Sequence, residues 1–92
     1  MKEYLPIGSV VLLKGAKKKL VVMGIMQFSN EEKDRVFDYI GVPYPEGNFG
    51  KGNVLFNNED INDVIFRGYE NPERDAFMKI VSELSSMKNG DK

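Results

Sequence analysis

The chain has 92 residues, with 13 lysines and arginines against 14 aspartates and glutamates, a formal net charge of -1, and neither cysteine nor histidine. That length gives one domain over residues 1–92, with a β-rich part at 4–70 and a helix at 72–88, and leaves no room for two cores. The balance argues against nucleic acid as main partner. The missing residue types remove disulfides, thiolate metal sites and the commonest general base, so the expectation is a non-enzymatic chain without cofactor or metal.

Tyr4 to Ser9 leads into a first strand, Val10–Lys14. Gly15 to Lys18 is a turn signal, so this strand and the next should form an antiparallel hairpin. Lys17, Lys18 and Lys19 sit at its tip. A lysine cluster there reads first as a solvated turn that blocks edge pairing, and second as a basic contact for nucleic acid or an acidic protein.

The second strand, Lys19–Ser29 (KLVVMGIMQFS), is the longest strongly apolar run. Val21, Val22, Ile25 and Phe28 favour a pleated surface, and Gly24 marks a bend or bulge. Simple alternation puts Leu20, Val22, Met26 and Phe28 on one face and Val21, Met23 and Ile25 on the other. Both faces are apolar, so both want cover. A polar turn at Asn30–Asp34 returns the chain into a third strand, Arg35–Val42.

Pro43 to Asn53 holds two prolines and three glycines and reads as a long irregular loop. Its large residues, Tyr44 and Phe49, suggest packing over one end of the sheet. Val54–Phe56 is a short fourth strand, Asn57–Asp60 a polar turn with 3₁₀ character, and Asp63–Tyr69 a fifth strand.

Asn71-Pro72-Glu73 is a helix start: a capping side chain, proline at the first helical position, and an acid in the first turn. The helix should reach about Met87 and end by Gly90. Phe77, Ile80, Val81, Leu84 and Met87 form one apolar stripe, expected to dock on the second face of the central strand. Full burial there predicts a loss of about 3–5 kcal/mol for Phe77→Ala.

Little else carries chemistry. Asp60 and Asp63, beside Glu59, are spaced unlike any EF-hand loop and read as turn capping and solvation. Gly47, Gly50, Lys51 and Gly52 lack the spacing, the hydroxyl residue and the helix of a phosphate loop. Tyr39, Tyr44, Phe49 and Tyr69 are candidates for an exposed aromatic surface that binds protein, although wedging of the loop onto the sheet explains the same rings. A helix stripe that overhangs the sheet is a second candidate surface, for dimerisation or for a helical partner.

Several stretches form an ordered set: Tyr4-Leu5-Pro6-Ile7-Gly8-Ser9-Val10-Val11, Phe37-Asp38-Tyr39, Pro43-Tyr44-Pro45-Glu46-Gly47, Phe56-Asn57 with Asp60-Ile61, and Phe66 with Gly68-Tyr69. Together they resemble a domain-of-unknown-function family of small Gram-positive bacterial proteins. Its members are commonly encoded in type VII secretion loci, near LXG-type polymorphic toxins and their helical targeting partners. The resemblance implies a cytoplasmic accessory of toxin export, an adaptor or chaperone that binds a secreted toxin or a secretion component. It brings no catalytic residues.

The fold expected is α+β: a small five-stranded, mostly antiparallel curled sheet or SH3-like barrel, with one C-terminal helix packed on it. The partner site is placed at Tyr39, Pro43, Tyr44, Pro45, Glu46 and Phe49. One rival is a nucleic-acid-binding barrel using Lys14, Lys17, Lys18, Lys19 and Lys51; another is a toxin-neutralising protein of immunity type. No apolar run approaches the roughly 18 residues of a membrane span. The opening MKEYLPIG has no signal-peptide core, so the expected location is the cytoplasm.

Overall fold

β-Branched and aromatic tracts separated by glycine turns build the sheet, in chain order. The computed structural model describes residues 3–28 and 35–89, with side chains as far as residue 84. The elements are β1 (Val10–Leu13), β2 (Leu20–Phe28), β3 (Val36–Pro43), β4 (Val54–Phe56), a 3₁₀ turn (Asn58–Asp60), β5 (Ile61–Phe66) and α1 (Pro72–Asn89). The turn expected at Asn30–Asp34, the stop at Gly90 and the side chain of Met87 lie outside the described residues.

The five strands form one antiparallel sheet in the order β4-β3-β2-β1-β5. Strands β1 to β4 are a meander, each pairing antiparallel with the next along the chain. Strand β5 then returns to the far side of β1. Strands β4 and β5 do not pair, so the sheet stays open and does not close into the barrel offered as an alternative. Strand β5 is also displaced from its expected span, beginning at Ile61 and ending at Phe66.

The bulge expected near Gly24 is present, and it changes which side chains face inward. The β2–β3 register shifts between Val22 and Gly24, leaving Met23 as the extra residue. One extra residue reverses the alternation beyond it. Leu20 and Val22 are buried as expected, but it is then Ile25 that stands opposite buried Tyr39, while Phe28 is exposed. Met26 has φ 51, a left-handed conformation unusual for its type, and still packs on the core. Gln27 folds back so that its Nε2 donates to the carbonyl of Ile25 at 2.9 Å.

A single core forms from Tyr4, Val11, Leu20, Val22, Tyr39, Phe56 and Val81. Tyr39 lies stacked on Phe56 at 5.1 Å and edge-on to Tyr4 at 6.0 Å between centroids. Both geometries suit aromatic quadrupoles. Gly68, just after β5, lies against the backbone of Ile7, where a Cβ would collide with the Ile7 carbonyl. Its N–H donates to the buried Ser9 hydroxyl at 3.0 Å, which fixes the chain between β5 and α1 to the start of β1.

Helix α1 starts as its sequence predicts. The Asn71 side-chain oxygen accepts from the Arg74 N–H at 3.0 Å, and the Asn71 carbonyl accepts from the Asp75 N–H at 3.0 Å. Its docking differs from the expected one. Val81 is the buried member, Met78 packs beside it, and Arg74 donates to the Tyr4 carbonyl at 2.6 Å. The helix therefore joins the core beside Tyr4, with no separate core on a second sheet face among the described residues. Phe77, Ile80 and Leu84 stand out at 52%, 54% and 48% exposure. The apolar stripe is real, but the helix is rotated so that, among the described side chains, its Val81 edge faces inward.

Half-exposed Phe77 therefore contributes far less than full burial implied. In urea unfolding, Phe56→Ala should cost about 3–5 kcal/mol. Phe77→Ala should cost no more than about 1.5 kcal/mol. A larger loss at Phe77 than at Phe56 would contradict this docking.

Candidate functional site

Two regions that are separate in sequence meet at one end of the sheet. The β1–β2 turn carries Lys17, Lys18 and Lys19, and the loop after β3 carries Tyr44 to Phe49. Strands β2 and β3 pair at Leu20 and Pro43, so the turn entering β2 and the loop leaving β3 are neighbours. One further rung ties them, from the Tyr44 N–H to the Lys19 carbonyl at 3.0 Å. Lys18 Nζ then meets the Glu46 carboxylate at 2.7 Å, and the Gly47 N–H closes the loop onto the Pro43 carbonyl at 2.7 Å. Gly47, Gly50 and Gly52 all take positive φ, which accounts for glycine at those positions as turn geometry.

The six expected partner-binding residues divide into two sets. Tyr39 and Pro43 are buried, and Tyr39 has no accessible surface at all. These two position the loop and do not reach its surface. Tyr44, Pro45, Glu46 and Phe49 are exposed, as are the three lysines. Phe49 is 57% exposed and Tyr44 49%, so neither ring wedges the loop shut. The result is a surface with two outward aromatic rings and a lysine-rich rim. Tyr69, the other aromatic expected outside, is exposed beside α1, away from this set.

Electrostatics on the rim follow from one pair. The hydrogen bond from Lys18 holds the Glu46 carboxyl below the usual glutamate range, with a backbone hydrogen bond adding to the effect. Lys18 is thus engaged, while Lys17 and Lys19 make no ion pair among the described residues. Asp60 is also occupied: its carboxylate accepts from the Asn57 N–H at 2.9 Å, capping the 3₁₀ turn. Asp63 lies exposed on β5.

Behind the loop, Tyr39 anchors three segments. Its hydroxyl accepts from the Leu5 N–H at 2.9 Å and donates to the Asn58 side chain at 2.5 Å. Neighbouring Asp38, also buried, accepts from the Asn58 N–H at 2.8 Å, and the Asn57 side chain accepts from the Asp38 N–H at 3.0 Å. This network had no signal in the sequence, because its members are far apart along the chain. Burial is the main cause that raises the Tyr39 phenol above its ordinary value.

An open cavity of about 380 Å³ lies along α1 at Asp75, Met78, Lys79, Ser82 and Glu83. Another, of about 370 Å³, is walled by Glu3, Tyr4, Asn58, Asp63, Val64 and Arg67. An apolar one of about 190 Å³ lies between α1 and the N-terminal segment. No group of three carboxylates among the described residues is placed to hold a metal ion. No helix among the described residues is long and apolar enough to cross a membrane.

Fold and surface define a class: an open antiparallel α+β domain with aromatic rings displayed on a pinned loop. The chain belongs to DUF4176, a family described as a domain of unknown function, which matches residues 4–77. The match spans the sheet, the pinned loop and the first turns of α1. No curated protein matches the chain, and no solved structure matches it.

Two titrations follow. For Tyr39 the folded value is raised, so its contribution to stability is complete below the unfolded value near pH ~10 and lost as pH rises through the folded one. Alkaline unfolding of the wild type should be steeper above pH ~10 than that of Tyr39→Phe, measured by urea midpoint against pH. For Glu46 the folded value is depressed, so its contribution is present above the unfolded value and lost as pH falls through the folded one. NMR titration should place the Glu46 carboxyl below the ordinary value of about 4.3. Lys18→Ala should move it back up, with little change in melting temperature, since the pair is exposed.

Proposed function

We propose that this chain is a non-enzymatic, protein-binding accessory of type VII secretion: a cytoplasmic adaptor or chaperone that holds a secreted LXG-type toxin or a component of the export machinery. The observation that carries the binding part is the pinned loop. Tyr44 and Phe49 point outward from a segment fixed by the Lys18–Glu46 pair and the Tyr44–Lys19 rung. Exposed aromatic rings on fixed backbone are characteristic anchors of protein recognition, because little side-chain entropy is lost on binding. The setting rests on the family resemblance.

The nucleic-acid reading is weaker on this geometry. Its basic patch includes Lys18, whose charge is already matched by Glu46, and the whole chain carries a net charge of -1. A toxin-neutralising role predicts a complex with the toxic domain, whereas an adaptor binds the export domain.

The test is capture of partners on the tagged full chain from cells that encode it naturally, with identification by mass spectrometry. An LXG-type toxin or secretion component should be recovered, and Tyr44→Ser with Phe49→Ser should reduce the recovery at least about tenfold. Truncated toxins then separate adaptor from immunity protein. Recovery of nuclease-sensitive material alone would overturn the proposal.

A further inference from the structure

Positive charge is gathered at the end of the sheet where β1 turns into β2 and β3 leaves into its loop. Lys14, Lys17, Lys18, Lys19 and Lys51 belong to that end, in a chain whose net charge is -1. The described carboxylates around it are accounted for. Glu46 is paired with Lys18 at 2.7 Å. Asp60 caps its own turn through the Asn57 N–H, and with Glu59 it borders Lys14, whose N–H donates to the Asp60 carbonyl at 2.9 Å. Asp63 stands opposite Leu12 on β5, the outer strand beyond β1. Lys17, Lys19 and Lys51 are exposed and make no ion pair among the described residues.

These unpaired lysines are set beside the rings. Leu20 pairs with Pro43, and the Tyr44 N–H donates to the Lys19 carbonyl at 3.0 Å, so Lys19 and Tyr44 stand opposite each other one step further on. Directly opposed residues share a face of the sheet. Alternation turns these two away from the side on which Leu20 and Pro43 are buried. The second half of the loop returns to the same place. A Cβ on Gly52 would stand 3.3 Å from Pro43 Cγ, so Lys51 is brought back beside the β2–β3 end. The Asn48 side-chain oxygen accepts from the Gly50 N–H and the Asn53 amide, each at 3.3 Å, and ties the turn that carries Phe49. A ring with an unpaired ammonium near it is thus presented twice, by Tyr44 opposite Lys19 and by Phe49 two residues before Lys51.

Resting on the reading of the chain as a protein-binding module, we infer that this surface takes an acidic segment of a partner protein, with apolar side chains between its carboxylates. The apolar side chains meet Tyr44 and Phe49, and the carboxylates meet Lys17, Lys19 and Lys51. Charge complementarity selects this occupant. A basic segment, or the same surface of a second copy, would bring like charge against three unpaired lysines. A nucleic acid, with one charge per about 1.7 Å of duplex, extends past three lysines onto a chain that is net negative. A short acidic segment meets only the local lysines, because salt screens charges beyond about 10 Å. Glu46 already seats one carboxylate on this rim, and an incoming acid competes with it for Lys18.

The probes are three synthetic peptides and one single-stranded oligonucleotide. One peptide alternates glutamate with leucine, the second has lysine in place of glutamate, and the third has serine in place of leucine. Binding to the full chain is measured by fluorescence anisotropy and mapped by NMR. The glutamate–leucine peptide should bind at least about tenfold tighter than every other probe, a difference of about 1.4 kcal/mol, with shifts centred on Lys19, Tyr44, Phe49 and Lys51. Added salt should weaken it. Lys17→Glu with Lys19→Glu should cut its affinity at least about tenfold at an unchanged melting temperature, since both side chains are exposed. Glu46→Gln should tighten it by about two- to fivefold by releasing Lys18, a gain that loss of structure cannot produce. Equal binding of the peptides, tighter binding of the oligonucleotide, no binding, or shifts centred on Phe77 and Ile80 would overturn the inference. So would weaker binding by Glu46→Gln. Recovery of a toxin through Tyr44 and Phe49 without a preference for acidic peptides removes the charge rule alone; that preference without a secretion partner removes the setting alone.

Discussion

The Tyr39 hydroxyl is the interaction on which the rest of the domain depends. A phenol oxygen inside a small core is costly unless both its donor and its acceptor capacity are used. Here one bond comes from the backbone of Leu5 and the other goes to Asn58. The ring meanwhile packs between Tyr4 and Phe56. One side chain of β3 thus fixes the N-terminal segment, the turn between β4 and β5, and the aromatic centre. Fixing the N-terminal segment in turn creates the site where α1 docks, because Arg74 is held by the carbonyl of Tyr4.

The open sheet brings together what a linear reading keeps apart. The lysine turn and the Pro-Gly loop become one surface because β2 and β3 are paired to their ends. The helix and the residues before β1 become the walls of one groove because both rest on Tyr4 and Leu5. These two surfaces differ in chemistry. The first combines aromatic rings with cations, and the second is mostly apolar, with Arg74 in its wall.

Local chemistry made much of the fold legible in advance. The turn at Gly15–Lys18, the strands around it and the start of α1 at Asn71-Pro72 each follow from a few adjacent residues. The features that escaped are those set at a distance. Gly24 flagged a bulge, but not that Met23 would be the extra residue, and so not that Ile25 would join Met26 against the core while Phe28 turned outward. The helical periodicity of Phe77, Ile80, Val81 and Leu84 revealed a stripe, but not which edge of it would turn inward. Tyr39 read as a surface ring because its two hydrogen-bond partners lie 34 and 19 residues away. In the loop after β3, the sequence offered Tyr44 and Phe49 as exposed rings, and they are exposed, while the pairing of Glu46 with Lys18 needed the strand register.

The position of β5 also governs how the molecule must be assembled. Strand β1 is an interior strand, but its two neighbours are made at very different times: β2 follows at once, and β5 emerges only after the whole meander, the loop and the 3₁₀ turn. Contacts between such distant segments are slow to form, since the entropy of closing the intervening chain must be overcome first. During that interval the meander presents Val10 to Leu13 as an unpaired apolar edge, the kind of surface that recruits strands from other molecules. The nascent chain therefore passes through a sticky stage that ends only when its penultimate element arrives. A domain with this topology is exposed to mispairing during its own synthesis.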